Sequence, residues 1–219
     1  MVRRSADPSP PRDSSPDLPP VLDPLGRLRR GDDVLGVRIS GLSGEIDASH
    51  AHLTETLWEA PALDRLDLTG TTLSETRIDE PRITALTGRE ARWRNVEIVG
   101  GRIGSVDLLR AELDGVVLRG TRVDYLALPS AALAHVRFVG CTFGSIDLPE
   151  ARVDRVAFED CRADEVDTRG LRAAHLDLRG LEALTYTDPV ALRGATLTFG
   201  QAEALGAAFA TALGISVRG

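Results

Sequence analysis

Four histidines and two cysteines are the side chains of this 219-residue chain best suited to ligate a metal or attack a substrate. None of them is spaced for it. His50 and His52 stand two apart in a polar stretch, the arrangement of surface imidazoles rather than of a closed metal shell. His135 and His175 are 40 residues apart, and Cys141 and Cys161 are 20 apart. No phosphate-cradling glycine loop, Gly-x-Ser-x-Gly elbow, His-Glu-x-x-His or Cys-x-x-Cys pair occurs. These residues predict no enzyme, no cofactor and no bound metal.

The charged residues offer contact surfaces instead. All 26 basic residues are Arg, set against 33 acids for a net charge of −7. That balance excludes a nucleic-acid binder held by a broad basic face. No apolar run approaches the roughly 18 residues of a membrane helix. The arginines near the N-terminus lead into no apolar segment, which predicts a cytoplasmic chain with reduced cysteines.

What must position these side chains is a repeat. Of the 26 positions ending in 3 or 8 from Leu53 to Leu178, all but Gly88 and Thr168 are apolar. Positions two residues earlier are small or aliphatic, and Asp, Glu, Arg, Gly, Ser and Thr fill the rest. A helix has period 3.6 and a strand period 2, so neither gives this pattern. A twenty-residue period lies on top: Ala91, Ala111, Ala131 and Ala151 form one column, and Val96, Val116, Val136 and Val156 another. Four blocks of five thus close one turn of a four-sided solenoid. The string LAHVRFVGCTF also fits a leucine-rich repeat, but that repeat breaks the five-residue spacing in its second half, and here the spacing continues.

Stretches such as ALDRLDLTG, RAELDGVVLRG and HLDLRGLEAL resemble the pentapeptide-repeat family, whose unit is Ala-(Asp/Asn)-Leu-X-X. The resemblance covers residues 46–185 and implies an all-β solenoid, a right-handed quadrilateral β-helix of about seven coils. Val or Leu in place of the small residue on two sides, and the rarity of central Phe, mark a divergent member. Some members of that family protect DNA gyrase from quinolones, resembling duplex DNA in rod shape and negative surface. Such members commonly end in a dimerising C-terminal helix, and TFGQAEALGAAFATALGI is similar in placement. The leading reading is therefore a non-enzymatic interaction scaffold whose rigid face binds another protein or its own copy as a homodimer. Its alternative is a DNA-mimicking gyrase-binding protein conferring drug or toxin protection.

Around the repeat, residues 1–32 hold seven of the 12 prolines before residue 25. They predict a disordered, partly polyproline-II tail, or a docking peptide. Residues 33–45 form an N-terminal cap one residue out of register. Residues 186–219 form a C-terminal cap with a helix near 199–213, started by a Thr198/Gln201 capping box, stopped at Gly214 and followed by a short closing strand at Ile215 and Val217.

Three outward features are candidate surfaces. Asp47, Asp67, Asp107, Asp147 and Asp167 form an acidic stripe interrupted by Thr87 and Ala127, or simply the repeat's own polar position. Arg82, Arg102, Arg122 and Arg162 form a neighbouring column suited to ion pairing across columns. Val99, Val117 and Val139 form an outward aliphatic strip, a candidate protein interface. Cys141 and Cys161 stack inward as reduced core residues.

Overall fold

The structure, a computed structural model, describes residues 7–218. Each coil contributes one long and one short strand, for example Arg92–Val99 and Arg102–Asp107. The long strands stack into a ten-stranded parallel sheet and the short ones into an eight-stranded parallel sheet. One short strand per turn gives about eight turns, against the seven expected. The additional turn is the first, where residues 33–47 already pair as strands.

Register explains the twenty-residue columns. Leu113 pairs with Trp93 on one side and Leu133 on the other, so each residue meets its own column. The inward residues Ala91, Ala111, Ala131 and Ala151 are 0% exposed. Phe138 stacks on Phe158 with ring centroids 4.7 Å apart and meets Phe143 edge-on. The backbone of each strand pairs with the coils above and below, so the ladders satisfy the main chain while the columns fill the core.

Three of the four corners turn through left-handed backbone. Gly70, Gly100, Gly120, Gly140 and Gly170 supply some of these turns, as the sequence suggests. Non-glycine residues hold the rest, among them Glu75, Asn95, His135, Arg155 and His175 with φ of 47–53°. A side chain in that region costs about 1–2 kcal/mol, a cost the stacked ladders on either side must offset.

The ends differ from the body. Asp33 pairs with His52, an offset of 19, and the step to 20 is taken at a bulge between Gly44 and Glu45. Residues Asp23–Leu25 add a parallel strand outside this first coil, and Leu28 is buried beneath it. At the other end lie a 3₁₀ turn at Pro189–Leu192, a two-residue strand at Ala195–Thr196, and helices α1 (Phe199–Ala204) and α2 (Gly206–Ala212). The capping box forms: Gln201 N–H donates to Thr198 Oγ1 at 3.1 Å and Thr198 N–H to Gln201 Oε1 at 2.7 Å. Gly214 stops α2 with φ of 77°, and Ile215 N–H donates back to Ala210 O. Ile215 and Val217 form no strand, because no coil edge reaches them; both are exposed.

Of residues 1–32, expected as a disordered tail, 1–6 lie outside the described residues and 7–22 lie extended along the outside of the solenoid, where polar groups of one corner pair with them.

Candidate interaction surfaces

The acidic column is built into the turns. Asp47, Asp67, Asp107 and Asp167 each accept a hydrogen bond from the backbone N–H two residues on, at 2.8–3.1 Å. A short acceptor at the end of a short strand supports this local turn, which is why Asp recurs in the column, although the strands that end at Thr87 and Ala127 turn without it. Arg89 also pairs with Asp107 at 2.7 Å, Arg169 pairs with Asp167, and Tyr125 O–H donates to Asp147. Hydrogen bonds from Ser49 hold the Asp47 carboxyl below the usual carboxylate range, and the Arg169 hydrogen bond does so for Asp167. The bond to Asp147 pushes the Tyr125 phenol up to about 12. Neutralised at intervals, the stripe is not a continuous negative face.

The arginine column pairs across to its neighbours. Arg102 and Arg122 converge on Asp124 at 2.6 and 3.0 Å, and their hydrogen bonds lower its pKa. Arg162 meets Glu182 at 2.9 Å. Pairs this exposed contribute little stability; they leave few charges free to bind an anion.

The valines do not gather into an open strip. Val117 is only 3% exposed, because its ladder partners are Glu97 and Arg137, whose long side chains cover it. Val99 and Val139 are half-buried, and Arg119 lies between them in the column.

Repeat counting missed Glu97. It sits at an outward position yet is 6% exposed, with Arg77 at 2.8 Å and Arg119 at 2.9 Å. Two guanidiniums compensate one buried carboxylate, so losing both would strand its charge. Nothing in the five-residue pattern marks that column as covered; only the lengths of its neighbours do.

His50 and His52 are exposed, and among the described residues no group of His, Cys, Asp and Glu is placed to hold a metal. Cys141 and Cys161 are free, buried and stacked, each thiol donating to a carbonyl of the preceding coil at 3.4 Å. The hydrogen bond with Cys161, and then burial, push the Cys141 thiol well above the ordinary range. Both are core residues, 1% and 2% exposed, out of reach of a substrate.

The C-terminal end is of another kind. Phe199 is 86% exposed and Leu213 71%, with Leu184, Val190, Ile215 and Val217 also exposed. Pro189, Leu192, Leu197, Ala202 and Phe209 line a shallow depression at this end, with Leu213 on its rim. Among the described residues no helix is long and apolar enough to cross a membrane.

No protein-family model matches the chain, and no curated protein matches it. Similar solved structures include two trypsin-treated variants of QnrB1, a plasmid-mediated fluoroquinolone resistance protein. One is 16% identical with a TM-score of 0.25, covering 90% of this chain and 95% of that one. The other is 14% identical with a TM-score of 0.24, covering 90% and 96%.

Proposed function

We propose that this pentapeptide-repeat solenoid is a rigid, non-enzymatic interaction scaffold that presents its C-terminal end to a protein surface, in the first instance that of a second copy. One observation carries the reading. The long faces of the rod pair many of their own charges, whereas residues 184–217 hold six of the nine large apolar side chains exposed among the described residues, Leu184, Val190, Phe199, Leu213, Ile215 and Val217. Exposed aliphatic and aromatic side chains grouped at one end of a polar rod mark a contact surface. Repetition gives the stiffness, since every coil is held by the two beside it.

Light scattering on wild type and on Phe199→Asp/Leu213→Asp tests this. We expect a dimer in the wild type and a monomer in the variant. The melting curve should be unchanged, because both side chains are exposed and their replacement costs within about 0.5 kcal/mol. A wild-type monomer at high micromolar concentration overturns the self-contact. The strip centred on Val117 is the weaker candidate interface, since its middle residue is covered.

The second reading, a duplex-mimicking ligand of DNA gyrase, draws on the family resemblance. It also draws on residues 41–190, where 26 acids face 17 arginines for a net −9. Mimicry asks for a continuous negative face, and Asp107, Asp124 and Asp167 share theirs with arginines. A gyrase supercoiling assay with and without quinolone separates the two: protection of the enzyme by the chain favours mimicry.

A further inference from the structure

Residues 7–17 run back over the rod along a single corner, the column Glu75, Asn95, Gly115, His135, Arg155 and His175. Ser9 N–H donates to His175 Nδ1 at 3.1 Å, Arg12 N–H to His135 Nδ1 at 3.1 Å, and Asp17 N–H to Glu75 Oε2 at 2.8 Å. We propose that this corner is a docking track for a polyproline-II segment, that residues 7–17 of the same chain are its occupant, and that protonation of His135 and His175 releases it.

The two lattices match in length. From Ser9 to Asp17 is eight residues, which in polyproline II span about 25 Å. From His175 to Glu75 is five coils, which at the parallel-strand spacing span about 24 Å. They match in phase as well. Polyproline II repeats every three residues, so Ser9 and Arg12 are one turn apart, and one turn of about 9.3 Å covers the two coils between their histidines. Pro8, Pro11 and Ser14, also three apart, are the less exposed residues of residues 7–15, with Pro11 buried. This conformation makes no internal hydrogen bonds, so the free N–H groups between its prolines need acceptors. The corner column supplies them.

The corner is also cut to fit. Gly115 is the one glycine in the column, and a Cβ there would stand 2.7 Å from Asn95 Oδ1, 2.9 Å from Arg12 Nη2 and 3.2 Å from Ser14 Cβ. Into that gap Arg12 sends its guanidinium, reaching Asp114 at 2.9 Å and Asn95 Oδ1 at 3.4 Å. Left-handed backbone does not by itself demand glycine here, since Asn95 and His135 adopt φ of 51° and 53° one coil on either side.

Both histidines serve as acceptors. A neutral imidazole offers Nδ1 to the strap N–H; an imidazolium has only donors, and the two N–H groups would then face each other. The charges around His135 are Arg12 and Asp13 of the strap and Asp114, Arg137 and Arg155 of the coils. Around His175 they are Asp7 of the strap and Asp154, Arg155, Asp177 and Arg179 of the coils. Each arginine has a carboxylate: Asp114 for Arg12, Asp13 for Arg137, Asp154 for Arg155, and Asp177 and Asp7 for Arg179. Neither histidine has a carboxylate as its own partner in the contacts described, so nothing replaces the hydrogen bond it loses. Imidazole is the side chain that acid converts from acceptor to donor.

Backbone ¹⁵N relaxation of the full chain at about pH 7.5 and about pH 5 tests this. In the wild type we expect order parameters for Ser9 and Arg12 near the rigid value of about 0.85 at the higher pH, falling below about 0.6 at the lower, with core amides unchanged. His135→Asn/His175→Asn keeps an acceptor that does not titrate, as Asn95 does in the same column, and should hold the strap at both pH values. Gly115→Asn should free the strap at both pH values while the core spectrum stays dispersed. Mobile Ser9 and Arg12 amides in the wild type at about pH 7.5 overturn the track. A wild-type strap equally rigid at both pH values overturns the histidine release. Contacts between strap and corner that appear only between labelled and unlabelled chains overturn the intramolecular occupant in favour of a second copy.

Discussion

The two ends of the chain close the same solenoid in opposite ways. At the N-terminal end, Asp23–Leu25 pairs onto the first coil, Leu28 seals it, and residues 7–17 return along a corner with their polar groups matched. At the C-terminal end, one side chain does the polar closing. Gln201 Nε2 donates to both Leu178 O and Leu181 O at 2.8 Å, while Phe199 and Leu213 face outward. The N-terminal segment is rich in Pro, Ser and charge and has little apolar surface to hide. The C-terminal segment is rich in Ala, Leu and Phe and has more than it hides. The N-terminal end leaves two large apolar side chains exposed, Val21 and Leu35, against six at the C-terminal end, so the C-terminal end gains more from a partner.

Both closures depend on an intact body, and breaking the body should dominate any change at either end. Phe138→Ala removes the ring between Phe143 and Phe158 and should cost about 3–5 kcal/mol, read as a large fall in the denaturation midpoint. A midpoint unchanged within error would mean the inward register is misassigned. Next in size is Gln201→Ala, which leaves Leu181 O without its side-chain donor and Leu178 O with the Leu181 N–H alone, and should cost about 1–3 kcal/mol. Faster amide exchange confined to residues 176–205 is its expected signature. Uniform loss through all coils would show that the C-terminal cap secures the whole rod and not only its end. Smallest is Arg137→Ala. Arg137 reaches Pro11 O at 3.4 Å and Asp13 at 3.3 Å, so its loss should loosen residues 11–13 at a cost under about 1 kcal/mol. A fall as large as that of Phe138→Ala would contradict a surface strap.

The body was legible because its physics is periodic. One inward residue every five, repeated over coils in constant register, leaves a trace no local feature can mimic, and Phe138 and Phe158, twenty apart, share one of its columns. The capping box at Thr198 was legible for a similar reason, since its two partners are three residues apart. The strap was not legible. Its partners are 58 to 166 residues away, and its composition says only that it cannot form a core. His135 and His175 were visible as one column, but the distance that makes them useless as metal ligands is what lets each serve a different strap residue. Val117 failed as an exposed site because outward direction is set by the repeat, while exposure is set by the reach of Glu97 and Arg137 beside it. Left-handed corners at Glu75 or His135 left no mark in a sequence where glycine is the expected signal.

The return of the strap has a topological consequence. Asp7 lies 3.7 Å from Arg179, on the last coils of the rod, and α2 ends at that same pole. Asp7 and the end of α2 therefore stand at one pole of the rod. A tag or reporter fused at either end would crowd the apolar surface of Phe199 and Leu213, and the opposite pole would stay clear of both. The rod is a one-ended handle, and assays of its association belong on chains carrying no fusion at all.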